Sequence, residues 1–153
     1  MIHSKSVADT RPGLASKDLR KLCPCVRGRF LQHLQVAVDR GIPIAVIETW
    51  RDLDRQRYYV STGASQTMHS YHLPQPPHGL SLAYDITPGA YVRMKNWNPG
   101  GELWQRLADI GLELGMEWGG NWTGFVDKSH YQLRACACDD ALLPSLPATA
   151  EDA

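Results

Sequence analysis

No stretch of this chain is apolar for anything near the roughly 20 residues that a membrane-spanning helix requires, so no stable insertion into a bilayer is expected. Net charge is also missing: 16 Lys and Arg balance 16 Asp and Glu. Without a basic field or stripe there is nothing to draw the chain onto nucleic acid, and no nucleic-acid partner is expected. Residues 1–17 carry charges but lack the apolar core of a secretory signal. The chain is therefore expected to stay in the cytoplasm until something else releases it. The Cys-x-x-Cys spacing of thiolate zinc sites is absent as well. The four cysteines fall as Cys23-Pro24-Cys25 and Cys136-Ala137-Cys138. Reduced thiols are the expectation for a cytoplasmic protein. A disulfide across the two pairs, tying the start of the domain to its end, stays open.

What is present is ordinary globular composition, with 43% apolar and 21% charged residues in a chain of 153. That length suits one compact domain with a real core. Residues 1–17 read as a flexible lead-in, 18–138 as the domain, and 139–153, rich in Ala, Pro and acids, as a disordered tail. Pro24 suits a first helical turn, and 25–40 reads as a helix with Val26, Phe30, Leu34 and Ala37 on one face, joined by Leu31 and Val38. Gly41 stops it. Residues 44–47 read as a buried strand, and Asp52 as the cap of a short helix through Gln56 and Tyr59. A polar loop over 61–79 precedes a second strand at 82–86. Pro88-Gly89 signals a turn. Residues 102–110 read as a helix with Gly111 near its end, and 118–122 as a turn. A third strand follows at 130–133. The order predicts a small single α+β domain, a mostly antiparallel sheet packed with helices.

Three sequence features carry chemistry: Ser70-Tyr71-His72 with Asp85 downstream, Asp127-Lys128-Ser129-His130, and Arg51 at the end of the first strand. A catalytic zinc takes three N or O ligands and keeps one position open. His72, Asp85 and His130 supply that set with a single negative charge, so the centre stays cationic. Asp127, three residues before His130, can reach a metal-bound water from a tight turn and act as general base and acid. The planar fork of Arg51 suits a carboxylate or an oxyanion. Taken singly, each residue has an ordinary structural alternative: a loop histidine, a strand cap, a surface ion pair.

In this order the motifs resemble a known family, the zinc D-alanyl-D-alanine carboxypeptidases and L-alanyl-D-glutamate endopeptidases, including phage endolysins. Glu48-Thr49-Trp50-Arg51 followed by Gln56 is similar to the family's first element. Ser70-x-His72, Ala83-x-Asp85 and Asp127-x-x-His130 are similar to the rest, and the likeness spans about residues 18–134. The resemblance implies a small metallopeptidase fold with Zn2+ in a cleft. It implies His72, Asp85 and His130 as ligands, Asp127 as catalytic acid and base, and Arg51, Ser70 and Gln56 as substrate contacts. The implied partner is the peptidoglycan stem peptide, met by a monomer.

One departure matters. In many members of the family the histidine stands seven residues before the Asp, whereas His72 is thirteen before Asp85 and His78 is seven before it. Residues 73–77 look like an insertion. His72 has the family's serine two residues upstream, so it is preferred; His78 stays open as an alternative, and His69 is a weaker spare. Asp at 127 and the short length resemble the endolysin branch, which implies an L-alanyl-D-glutamate endopeptidase. D-alanyl-D-alanine carboxypeptidase activity and a non-catalytic metal-binding domain are the alternatives. Glu117 is the reserve candidate for the base.

Overall fold

The computed structural model describes residues 8–94 and 101–135. Two short strands open the order, β1 (Ala15–Ser16) and, later, its partner β3 (Trp50–Arg51). Helix α1 (Pro24–Asp39) and strand β2 (Ile44–Glu48) lie between them, and α2 (Leu53–Thr62) follows. After a long loop come β4 (Ala83–Pro88), α3 (Gly89–Met94), α4 (Glu102–Glu113), β5 (Glu117–Trp118) and β6 (His130–Gln132). The main sheet has the order β2-β4-β6-β5, and every pairing in it is antiparallel. This is the α+β architecture that the sequence predicts.

Helix α1 starts at Pro24, whose missing N–H is no loss in a first turn. Its buried face is Val26, Phe30, His33 and Ala37, while Val38 is exposed. The predicted face is thus rotated slightly to admit a histidine. Helix α4 runs three residues past the predicted end at 110. Gly111 does not terminate it; the residue is small because a Cβ there would stand 2.5 Å from the Tyr131 ring. The turn expected at Pro88-Gly89 is instead the junction where β4 passes directly into α3.

Strand alternation divides the sheet chemically. Tyr84 and Ile86 of β4, Tyr131 of β6 and Trp118 of β5 join Val26, Phe30, Trp104, Leu107 and Ile110 in the core. Asp85, His130 and Gln132, in the alternate positions, line a cleft on the other side. His33 ties the layers together. Its Nε2 lies 2.8 Å from the Leu107 carbonyl, which can only accept, so its Nδ1 accepts from the Tyr84 hydroxyl, also at 2.8 Å.

The lead-in is held from residue 9 onward. Arg55, buried on α2, donates to the carbonyls of Pro12 and Gly13 and pairs with Asp9. Gly13 has φ +74°, and a Cβ there would meet the Arg55 nitrogen at 2.3 Å. Ala15 then pairs with Arg51 across the small sheet. A segment expected to be loose therefore braces the strand that carries Arg51. Asp52 caps α2 as predicted, accepting from the Arg55 N–H at 2.9 Å. Cys23 and Cys25 are disulfide-bonded, which corrects the expectation of reduced thiols for that pair; Cys136, Cys138 and the tail lie outside the described residues.

Burial pushes His33 from its ordinary 6.5 down to about 4, against the hydrogen bond to Leu107. Between those values the unfolded chain takes up a proton that the folded chain refuses. The contribution is therefore complete above about pH 6.5 and is lost as pH falls toward 4, up to about 3 kcal/mol. Urea midpoints measured across that window should fall with pH in wild type and fall less steeply in His33→Phe. Equal slopes in the two proteins would remove His33 from this role.

Candidate metal centre

Register brings the two strand-borne residues together: Asp85 of β4 stands opposite His130 of β6. Glu48 of β2 stands opposite Asp85, next to a bulge. His72 arrives from the loop. That loop is fixed on both sides, because the Arg51 N–H donates to the His72 carbonyl and the Leu82 N–H donates to the Tyr71 carbonyl. Ser70 Oγ accepts from the His72 N–H at 3.2 Å, which explains the Ser-x-His spacing as a local turn. The loop after His72 is closed by the Gln75 N–H donating to the Leu80 carbonyl and the Gly79 N–H donating to the Gln75 carbonyl.

Three atoms converge. His72 Nε2 is 3.0 Å from Asp85 Oδ1, His130 Nδ1 is 3.2 Å from the same oxygen, and the two nitrogens are 3.1 Å apart. Tetrahedral coordination with bonds of about 2.0–2.1 Å places neighbouring ligand atoms about 3.3 Å apart. The outer nitrogens fix the tautomers. His72 Nδ1 faces the Thr49 carbonyl at 3.3 Å, and His130 Nε2 faces Gln132 Oε1 at 2.7 Å. Both outer nitrogens then carry the protons, and both inner nitrogens present lone pairs beside a carboxylate. Such an arrangement is repulsive until a cation sits among them. Among the described residues this trio forms a group able to hold a metal ion, and all three members are buried.

Burial works to raise Asp85, but positive charge beside it, carried by the imidazoles where no cation is bound, outweighs burial and holds the carboxyl well below its ordinary range. Asp127 is raised, first by burial and then by the charge of Asp85. It lines the same cleft, of about 620 Å³. The His130 N–H donates to the Asp127 carbonyl, closing the tight turn that the spacing of three implies. Gly119 lets this turn approach: a Cβ there would lie 2.4 Å from the Asp127 carbonyl oxygen.

Residues 63–133 match the family model described as D-alanyl-D-alanine carboxypeptidase. The chain is also 33% identical over 116 residues to an L-alanyl-D-glutamate peptidase of Listeria phage A118, covering 76% of this chain and 39% of that protein. It spans about two-fifths of that relative's length. Among solved structures it resembles the L-Ala D-Glu endopeptidase ChiX of Serratia marcescens, with a TM-score of 0.53 and 26% identity. That match covers 78% of this chain and 88% of the other. Residues 63–133 therefore match a domain of this peptidase family.

Other sequence-predicted residues take more varied positions. Arg51 is buried at the cleft wall. Its Nε pairs with Glu48, one terminal nitrogen donates to Gln56 Oε1 at 2.9 Å, and the other lies 3.8 Å from Asp85 Oδ2. The Tyr59 ring lies beneath the guanidinium, 4.5 Å away, and its hydroxyl donates to Glu48. Gln56 is fully buried behind Arg51, with its amide nitrogen bonded to Ser65 and the Thr67 carbonyl. Its position supports Arg51 rather than facing a substrate. Ser70 and His69 line the cleft, whereas His78 lines a separate cavity of about 300 Å³ beside Pro76 and Pro77. Glu117 is engaged by Gln132 and Arg134, which argues against its reserve role as base. Sequence reasoning passed over Glu48, Tyr59 and Gln132 as working parts. Glu48 three residues before Arg51 and Gln132 two residues after His130 were the available signals, while Tyr59, eight residues after Arg51, gave none.

Metal analysis of purified variants checks the trio. His72→Ala, Asp85→Ala and His130→Ala should each lose most of the bound divalent metal, and His78→Ala should keep it. Metal lost from His78→Ala but retained by His72→Ala would reverse the ligand choice.

Proposed function

We propose that this chain is a zinc-dependent peptidoglycan hydrolase that cuts the stem peptide between L-alanine and D-glutamate. The observation that carries the reading is the convergence of three lone-pair atoms at tetrahedral spacing inside an open cleft, with a carboxylate not itself in the trio on the same wall. Both named relatives are described as acting on that bond type. Two imidazoles and one carboxylate are a donor set suited to catalytic zinc. When bound, the ion supplies Lewis-acid polarisation and acidifies water.

The protein's own residues divide the remaining work. Asp127, held as a poorly solvated carboxylate, takes the proton from the attacking water and returns it to the departing amine. Arg51, braced by Glu48, Gln56 and Tyr59, presents a fixed positive fork at the cleft wall for a carboxylate or a developing oxyanion. Ser70, besides holding His72, is within the cleft lining and offers a further polar contact. Trp122, whose ring lies 5.0 Å from that of His130, walls the centre. The substrate lies outside the cytoplasmic membrane, so the enzyme acts after release; disulfide-bonded Cys23 and Cys25 suit an oxidising compartment.

Mass analysis of digested purified peptidoglycan is the test. New fragments should begin at D-glutamate, chelator should abolish them, and added zinc should restore them. Loss of terminal D-alanine alone would make the enzyme a carboxypeptidase, and no release by zinc-loaded protein would favour a non-catalytic domain.

The general base is tested separately. Asp127→Asn should bind zinc as wild type does while turnover falls on the order of 10²- to 10⁴-fold. Turnover within a few-fold of wild type would remove Asp127 from the chemistry.

A further inference from the structure

A hydrogen-bonded chain runs from the buried trio to the cleft rim. His130 Nε2 meets Gln132 Oε1 at 2.7 Å, the Gln132 amide nitrogen donates to Glu117, and Arg134 donates to the other oxygen of Glu117 at 2.8 Å. Gln132 and Glu117 are direct cross-strand partners on β6 and β5, so the sheet register builds the link. Gln132 is 5% exposed, while the Arg134 side chain is 70% exposed.

The direction of this chain is decided at its outer end. A carboxylate facing a guanidinium can only accept, so the NH₂ side of the Gln132 amide must face Glu117. Burial works to raise Glu117, but its bonds from Arg134 and Gln132 outweigh that and keep it ionised. Gln132 must therefore turn its oxygen toward His130, and His130 must carry its proton on Nε2. The opposing pull is local. Asp85 Oδ1, 3.2 Å from His130 Nδ1, favours a proton on that inner nitrogen, where it would block coordination.

We propose that Gln132 and Glu117 are positioning residues that hold His130 in the tautomer whose inner nitrogen is free for the metal. The proposal rests on the metal reading above and assigns a purpose to a buried amide and a rim ion pair that the chemistry itself does not use.

Zinc affinity by chelator competition, with ¹⁵N NMR of the His130 ring in metal-free protein at alkaline pH, tests it. Wild type should show the proton on Nε2. Gln132→Leu removes the acceptor at similar size; its zinc affinity should fall about 10- to 100-fold, and its ring proton should move toward Nδ1. The double variant Gln132→Glu/Glu117→Gln reverses amide and carboxylate yet keeps the order of donors and acceptors. It should regain affinity to within a few-fold of wild type and restore the Nε2 proton, while Glu117→Gln alone, which frees the Gln132 amide to turn, should not. Gln132→Leu binding zinc as tightly as wild type, or a wild-type ring protonated on Nδ1, overturns the tautomer lock alone. Wild-type protein that binds no zinc overturns the metal reading and the lock's purpose with it.

Discussion

The pairing of Asp85 with His130 across β4 and β6 is the constraint on which the rest depends. Because side chains alternate along a strand, this register puts a carboxylate and an imidazole side by side on the cleft face while Tyr84 and Tyr131 stack in the core. A slip of one residue would exchange the two sets. The core guards against that slip. Tyr131 lies against Gly111 of α4, and Tyr84 is bonded to His33 of α1, so both helices read the register from behind. Packing on one face thereby fixes geometry on the other.

Charge is the second constraint. Glu48, Asp85, Arg51, His72 and His130 are all buried, and isolated buried charges are costly. Glu48, Arg51 and Asp85 alternate in sign, and the two imidazoles stand at the Asp85 end. Glu48 faces Arg51, Arg51 approaches Asp85, and Asp85 meets the two imidazoles. Tyr59 closes the far end by donating to Glu48. Such a network is expensive to break at a single point, because removing one member strands its neighbour. It also holds every member in one orientation, which a site that must meet a substrate at fixed geometry requires. The small sheet formed by Ala15–Ser16 and Trp50–Arg51 supports the same end, since it anchors the backbone of Arg51.

Much of the local structure was legible. Pro24 and the apolar spacing after it give α1, Asp52 gives the cap of α2, and the turn before His130 follows from the Asp127 offset. Other readings failed for reasons outside the local chain. Gly111 looked like a helix end because glycine usually is one, but its meaning came from a tyrosine twenty residues later. The lead-in looked loose because its short polar sequence carries no periodic signal, yet Arg55 and Arg51 hold it. Gln56 was read as a substrate contact, and the structure buries it behind Arg51, outside the cleft lining. Cys23 and Cys25 read as thiols from the absence of a secretory signal, an inference about compartment that the disulfide-bonded state does not follow.

The sequence by itself determined which chemistry was available. It supplied two histidines and one aspartate with a further acid nearby, in an order that a peptidase family shares, on segments whose periodicity makes them strands, turns and helices. These are local properties, written in residue type and short-range spacing. Only the tertiary structure shows that His72, and not His78, stands beside Asp85 and His130, while His78 lines a separate cavity. Only it showed which nitrogen of each histidine faces inward, because tautomer and ring direction are set by Thr49 and Gln132, acceptors supplied from elsewhere in the fold. Coordination is a matter of a few tenths of an ångström, and contacts between segments distant in sequence fix distances on that scale.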